Sequence, residues 1–97
     1  MTPSVGSDAE RELTDGAVYY AREAKNADLG LAFIAEFERA LELLCAYPRL
    51  GAPWRSRRRF PLRRFPYSII DYITGEELRV IALAHHRRKP GYWTDRK

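Results

Sequence analysis

Ninety-seven residues, 45% hydrophobic and 31% charged, predict one small domain near the low end of sizes that bury a stable core without metals or disulfides. A single cysteine, Cys45, excludes an intrachain disulfide, and no apolar run approaches the ~18 residues of a membrane span. The net charge of +4 conceals a division, because residues 1–50 carry 5 Lys/Arg against 9 Asp/Glu whereas residues 51–97 carry 12 against 4. The second half is therefore the anion-seeking half. Met1 to Gly6 lacks the charged-then-apolar pattern of a signal peptide, so the expectation is a cytoplasmic protein with a reduced thiol.

In chain order, Ser7-Asp8-Ala9-Glu10 has the spacing of a capping box. Ala9, Leu13, Ala17, Tyr20, Ala21 and Ala24 then recur at helical spacing, which predicts a helix from about Asp8 to Lys25, with Gly16 a weak point. After Asn26-Ala27-Asp28, a stripe of Phe33, Ile34, Phe37, Ala40, Leu41 and Leu44 predicts a second helix that Pro48 stops. Such a stripe packs a helix on a sheet, and Cys45 reads as a small core residue within it.

Arg49-Leu50-Gly51-Ala52-Pro53 reads as a turn-rich connector, followed by Trp54 and arginines at 55, 57, 58 and 59. Arg59 to Arg63 predicts a short strand, with Pro61 and Pro66 confined to an edge, a strand start or a bulge. Tyr67 to Ile73 and Leu78 to Ala84 are rich in β-branched, aromatic and aliphatic residues and flank the turn Thr74-Gly75-Glu76-Glu77, which makes a hairpin. The order predicts an α+β fold, a helical hairpin packed on one face of a small antiparallel sheet, over residues 1–97 as one domain.

Function concentrates where the last strand ends, in Ala84-His85-His86-Arg87-Arg88-Lys89-Pro90-Gly91-Tyr92-Trp93. Two histidines, three cations and two aromatics there can meet a phosphate backbone or an acidic protein segment. Adjacent strand histidines point to opposite faces, so at most one of His85 and His86 faces a given site. No Cys or carboxylate stands at ligand spacing from them, so neither a metal nor a cofactor is expected. After Pro90-Gly91 the chain can fold back, with Trp93 expected to pack and Tyr92 to stay exposed.

Pro48-x-x-Gly51, Arg63-Arg64-Phe65-Pro66-Tyr67-Ser68-Ile69 and Leu83 through Trp93 together resemble the RelE/ParE superfamily of plasmid-stabilisation toxins. The likeness runs from Ala9-x-x-Glu12-Leu13 and Tyr19-Tyr20 through Leu29-Gly30-x-x-Phe33 to Arg96. It implies a short N-terminal strand near Ser4 to Gly6, which composition alone does not indicate. It also implies a toxin of a type II toxin-antitoxin system, neutralised by an antitoxin that wraps a helix and an extended segment around it. Arg58, Arg59, Arg63, Arg64, Arg88 and Lys89 are then candidates for binding the partner or a nucleic acid.

Two activities within the superfamily imply different chemistry. RelE-like members cut mRNA in the ribosomal A site, which needs a base for the 2′-hydroxyl, cations for the phosphorane and an acid for the leaving oxygen. In that reading His85 or His86 is base or acid, Arg87 holds the scissile phosphate, and Tyr92 stacks on a base or donates a proton. In RelE-like nucleases the strand corresponding to Tyr67-Ser68-Ile69 carries a catalytic arginine immediately after the aromatic, where this chain has Ser68. That departure favours a ParE-like toxin, which inhibits growth by binding DNA gyrase. The RelE-like endoribonuclease is the alternative, and a degenerate, non-toxic binding module is a second alternative.

Overall fold

The computed structural model describes residues 1–23 and 25–97, so the expected stripe residue Ala24 lies outside the described residues. Strand β1 (Thr2–Val5) leads into helix α1 (Ser7–Glu23) and helix α2 (Ala27–Ala46). Strands β2 (Ala52–Trp54), β3 (Arg57–Pro61), β4 (Tyr67–Thr74) and β5 (Glu77–His85) follow. They form one five-stranded sheet in the order β1-β5-β4-β3-β2, with the helices on one face, so the α+β expectation and the N-terminal strand both hold. The last four strands form an antiparallel meander, but β1 pairs in parallel with β5, so the sheet is mixed.

Several boundaries differ from the sequence reading for physical reasons. The Gly6 carbonyl accepts the Glu10 N–H at 2.9 Å, which takes the donor a Ser7 capping box would use. Asn26 caps α2 instead, its Oδ1 accepting the Asp28 N–H at 3.0 Å from an extended backbone at φ −143°. The predicted connector contains β2, whose residues pair as Ala52 with Arg59, Pro53 with Arg58 and Trp54 with Arg57. Pro53 is tolerated because β2 is the sheet's edge and one side of it needs no ladder donor. β3 consequently begins at Arg57 and ends at Pro61, two residues earlier than predicted.

Gly16 and Gly30 set the distance between the helices. A Cβ on Gly30 would stand 2.7 Å from the Ala17 carbonyl oxygen, and one on Gly16 would stand 2.5 Å from the Phe33 ring. Gly16 is thus the surface against which Phe33 packs. Phe33, Phe37, Ala40 and Leu44 from α2 join Ala9 from α1 on the sheet residues Ile69, Leu78, Val80 and Leu83 and on Leu62 and Phe65 of the β3–β4 loop. The rings of Tyr20, Phe33 and Phe65, with centroids 4.9–5.2 Å apart and Phe65 edge-on to the other two, fill the end of this core beneath the β3–β4 loop.

The opposite face of the sheet has its own apolar layer of Ile70, Ile81, Ala82, Ala84 and Trp93, flanked by Trp54, Tyr72 and Tyr92. A bulge produces part of it. Ile70 pairs with Ala82 and Asp71 with Val80, so Ile81 is an extra residue in β5. Beyond β5, residues 86–97 turn back across this outer face through local bonds such as Tyr92 N–H to Lys89 C=O and Arg96 N–H to Trp93 C=O.

Candidate partner-binding cleft

The end of β5 carries the candidate residues onto two faces, as alternation requires. His85 lies on the helix side with its ring 4.9 Å from that of Tyr67, and its Nδ1 accepts the Arg87 N–H at 3.0 Å. Burial, followed by the nearby Arg87 cation, lowers its pKa from the ordinary histidine value. His86 is exposed, but its backbone N–H donates to the Pro66 carbonyl at 2.8 Å and its Nε2 lies 2.9 Å from the hydroxyl oxygen of buried Ser68. The serine at the position where a nuclease of this type carries arginine is therefore a neutral hydrogen-bonding partner of His86.

Trp54, Arg59, His86, Arg88, Lys89, Tyr92 and Trp93 line a cleft of about 170 Å³ on the outer face, which also borders His85 where β5 ends. Its charged members are all cationic, and Arg59, Arg88 and Lys89 are exposed. Trp93 is buried edge-on against Trp54 with centroids 4.6 Å apart, as expected of a packing residue. Tyr92 departs from the expectation of exposure. It is half-buried, its hydroxyl donates to Glu12 Oε2 at 2.5 Å, and the Arg88 guanidinium stacks 3.9 Å from its ring. Burial and then the Glu12 bond raise its pKa, so it holds its proton at neutral pH.

The remaining arginines do not converge on this cleft. Arg58 faces the helix side opposite Asp71, and its Nη1 donates to the Gly51 carbonyl at 3.1 Å, which fastens the connector. Arg63 and Arg64 sit in the β3–β4 loop. The Arg63 N–H donates to Glu36 Oε2 at 2.7 Å, and Arg64 adopts φ +68° with its guanidinium 5.3 Å from the Phe65 ring. Glu36 also receives both donors of Arg39, at 2.7 and 2.8 Å, which lowers its pKa. Arg87 is exposed beside the cleft without lining it.

Sequence reasoning missed the residue that assembles this end of the molecule. Glu12 of α1 accepts the Leu83 N–H at 3.1 Å and the Arg96 Nη1 at 2.7 Å through Oε1, while Oε2 takes the Tyr92 hydroxyl. β1 stops at the Val5–Val80 pair, so Glu12 and Arg96 occupy the edge of β5 where β1 no longer reaches. Arg96 Nη1 also donates to the Ile81 carbonyl at 3.1 Å. Nothing in a lone glutamate 71 residues before Leu83 announces this role.

Comparison with known proteins resolves the family. The family model of the ParE toxin of type II toxin-antitoxin system, parDE, matches residues 5–90. The chain belongs to the ParE toxin family. A solved chain from the chromosomal ParDE TA system of P. aeruginosa is similar in fold, with a TM-score of 0.76 over 88% of this chain and 95% of that one, at 17% identity. No curated protein matches in sequence. In this ParE-family chain the matched region contains both helices and the whole sheet from Val5 onward, together with the basic turn as far as Pro90. Among the described residues no helix is long and apolar enough to cross a membrane, and no three metal-ligating side chains cluster.

Proposed function

We propose that residues 1–97 form the toxin of a type II toxin-antitoxin pair, acting in the cytoplasm by binding a protein target, DNA gyrase, and neutralised by a cognate antitoxin. Membership in the ParE family supports the toxin role and the existence of an antitoxin partner. The observation that favours binding over RNA cleavage is the Ser68–His86 pair at 2.9 Å. A ribonuclease needs a fixed cation on the developing phosphorane charge, and this position offers a buried neutral hydroxyl tied to His86, one of the two candidates for base or acid. Tyr92, the other candidate acid, is committed to Glu12 with a raised pKa.

The cleft suits a protein contact. Exposed cations surround partly buried aromatics, and Arg and Trp anchors of this kind dominate interface energetics. Inducible expression of the chain alone in a bacterial host tests the proposal, with growth, mRNA 5′ ends on ribosomes and supercoiling by purified gyrase followed together. Growth arrest with intact transcripts and inhibited supercoiling is expected. New in-frame cuts would replace this reading with the nuclease one, and unimpaired growth from folded protein would make the chain a binding module.

A further inference from the structure

We propose that residues 91–97 form a releasable strap over the outer face of the sheet, closed from helix α1 through the Glu12 carboxylate. The hinge is Gly91, at φ +83° directly after Pro90, a conformation that favours glycine. The strap's backbone bonds within residues 91–97 are single turns, Thr94 N–H to Gly91 C=O and Arg96 N–H to Trp93 C=O. Its attachment to the body is made by side chains. Trp93 inserts among Ile70, Ile81 and Ala82, Tyr92 and Arg96 reach Glu12, and Arg57 and Arg79 donate to the Arg96 and Lys97 carbonyls at 3.2 and 3.3 Å.

Glu12 controls this attachment because it receives four donor groups, from three residues on two segments, at once. Oε1 is shared between the β5 edge and Arg96, Oε2 accepts Tyr92 and a second Arg96 nitrogen at 3.3 Å, and Asp8 adds a weaker ion pair to Arg96 at 3.7 Å. Hydrogen bonds to an ionised group are the strong ones, and these are shielded, with side-chain exposures of 11% for Glu12 and 17% for Arg96. Removing the carboxylate takes away the strap's charged anchor while the α1–α2 packing at Gly16 and Gly30 stays intact.

Release has a defined consequence. Tyr92 and Trp93 form one wall of the basic cleft, so an open strap dismantles the cleft and uncovers Ile70, Ile81 and Ala82. Helix α1 and the outer face are then two sites joined by a two-state element, which is the physical requirement for coupling between them. If the cleft is the target-binding surface proposed above, an event on α1 that moves Glu12 weakens target binding without touching the cleft. The strap itself does not depend on that reading.

Amide hydrogen exchange of the full chain and of Glu12→Gln tests it, with Arg96→Gln cutting the same pair from the strap side. Expected in both variants is roughly tenfold to hundredfold faster exchange at Tyr92, Thr94 and Arg96, with Ile69 and Ile70 in β4 unchanged. A structural contribution to global stability would accelerate β4 equally. Strap amides that keep their wild-type rates in both variants, or that move only together with β4, would overturn the proposal. Growth arrest scored on the same variants is a separate readout, so a non-toxic chain with a releasable strap fails the function and keeps the strap.

Discussion

Asp71 is the least comfortable side chain in the protein. It is fully buried on the helix side of β4, and neither carboxylate oxygen has a hydrogen-bond partner. Burial raises its pKa to about 7, the opposing Arg58 cation offsetting only part of the effect. The folded state therefore retains a proton that the unfolded chain releases near its ordinary value of 3.8. Between these values the folded state binds more protons, so this group's contribution to stability falls as pH rises toward 7 and its cost is complete above that. Asp71→Asn removes the ionisation. Relative to wild type it should gain on the order of 3 kcal/mol at pH 8 and little at pH 4, read from urea midpoints at both values. His85, whose lowered pKa acts in the opposite direction, is common to both proteins and cancels in the difference. An equal effect at both pH values would mean that Asp71 is not the titrating group.

Among the elements, the two helices were the most legible because most of their described apolar stripe residues lie on the faces turned to the core. Phe33, Phe37, Ala40 and Leu44 all reach the core. What spacing does not convey is how close two helices come. Gly16 looked like a flaw in α1, yet it and Gly30 permit the approach that buries Phe33. Gly30→Ala should cost about 1–3 kcal/mol despite alanine's better helix propensity, because the new methyl meets the backbone oxygen of Ala17 at 2.7 Å. Chemical denaturation would show the loss as a lower midpoint at unchanged slope. The sheet edges were the least legible elements. β1 has four residues with no strand pattern and is held by parallel pairing to β5, an interaction 75 residues away along the chain. β2 is hidden because Gly51 and Pro53 read as breakers, and only its place at the edge reconciles them with a strand. The same limit applies to the cleft. Arg88 and Lys89 were evident in the run after β5, whereas Glu12 and the closed position of Tyr92 depend on contacts 71 to 84 residues apart.

At the scale of the whole molecule, the division of charge along the chain becomes a division in space. Most carboxylates lie on the helical layer, and the ion pairs of the described residues employ Arg11, Arg39 and Arg96 there or against it. Arg59, Arg88 and Lys89 have no carboxylate partner in those pairs, although they line one cleft, so their charge is directed outward. Charge arranged this way acts on encounter more than on folding. Replacing all three with alanine should change stability by only about 1 kcal/mol, chiefly through the lost stacking of Arg88 on Tyr92. Association with gyrase, the target proposed above, should slow roughly tenfold or more at low salt. The wild-type rate should then fall steeply as salt is added and converge on a variant rate that varies little, because screening removes what the substitutions removed. Stopped-flow association with purified gyrase across a salt series measures both curves. Parallel curves would place the steering charges elsewhere, with Arg63 and Arg64 of the β3–β4 loop as the next exposed pair.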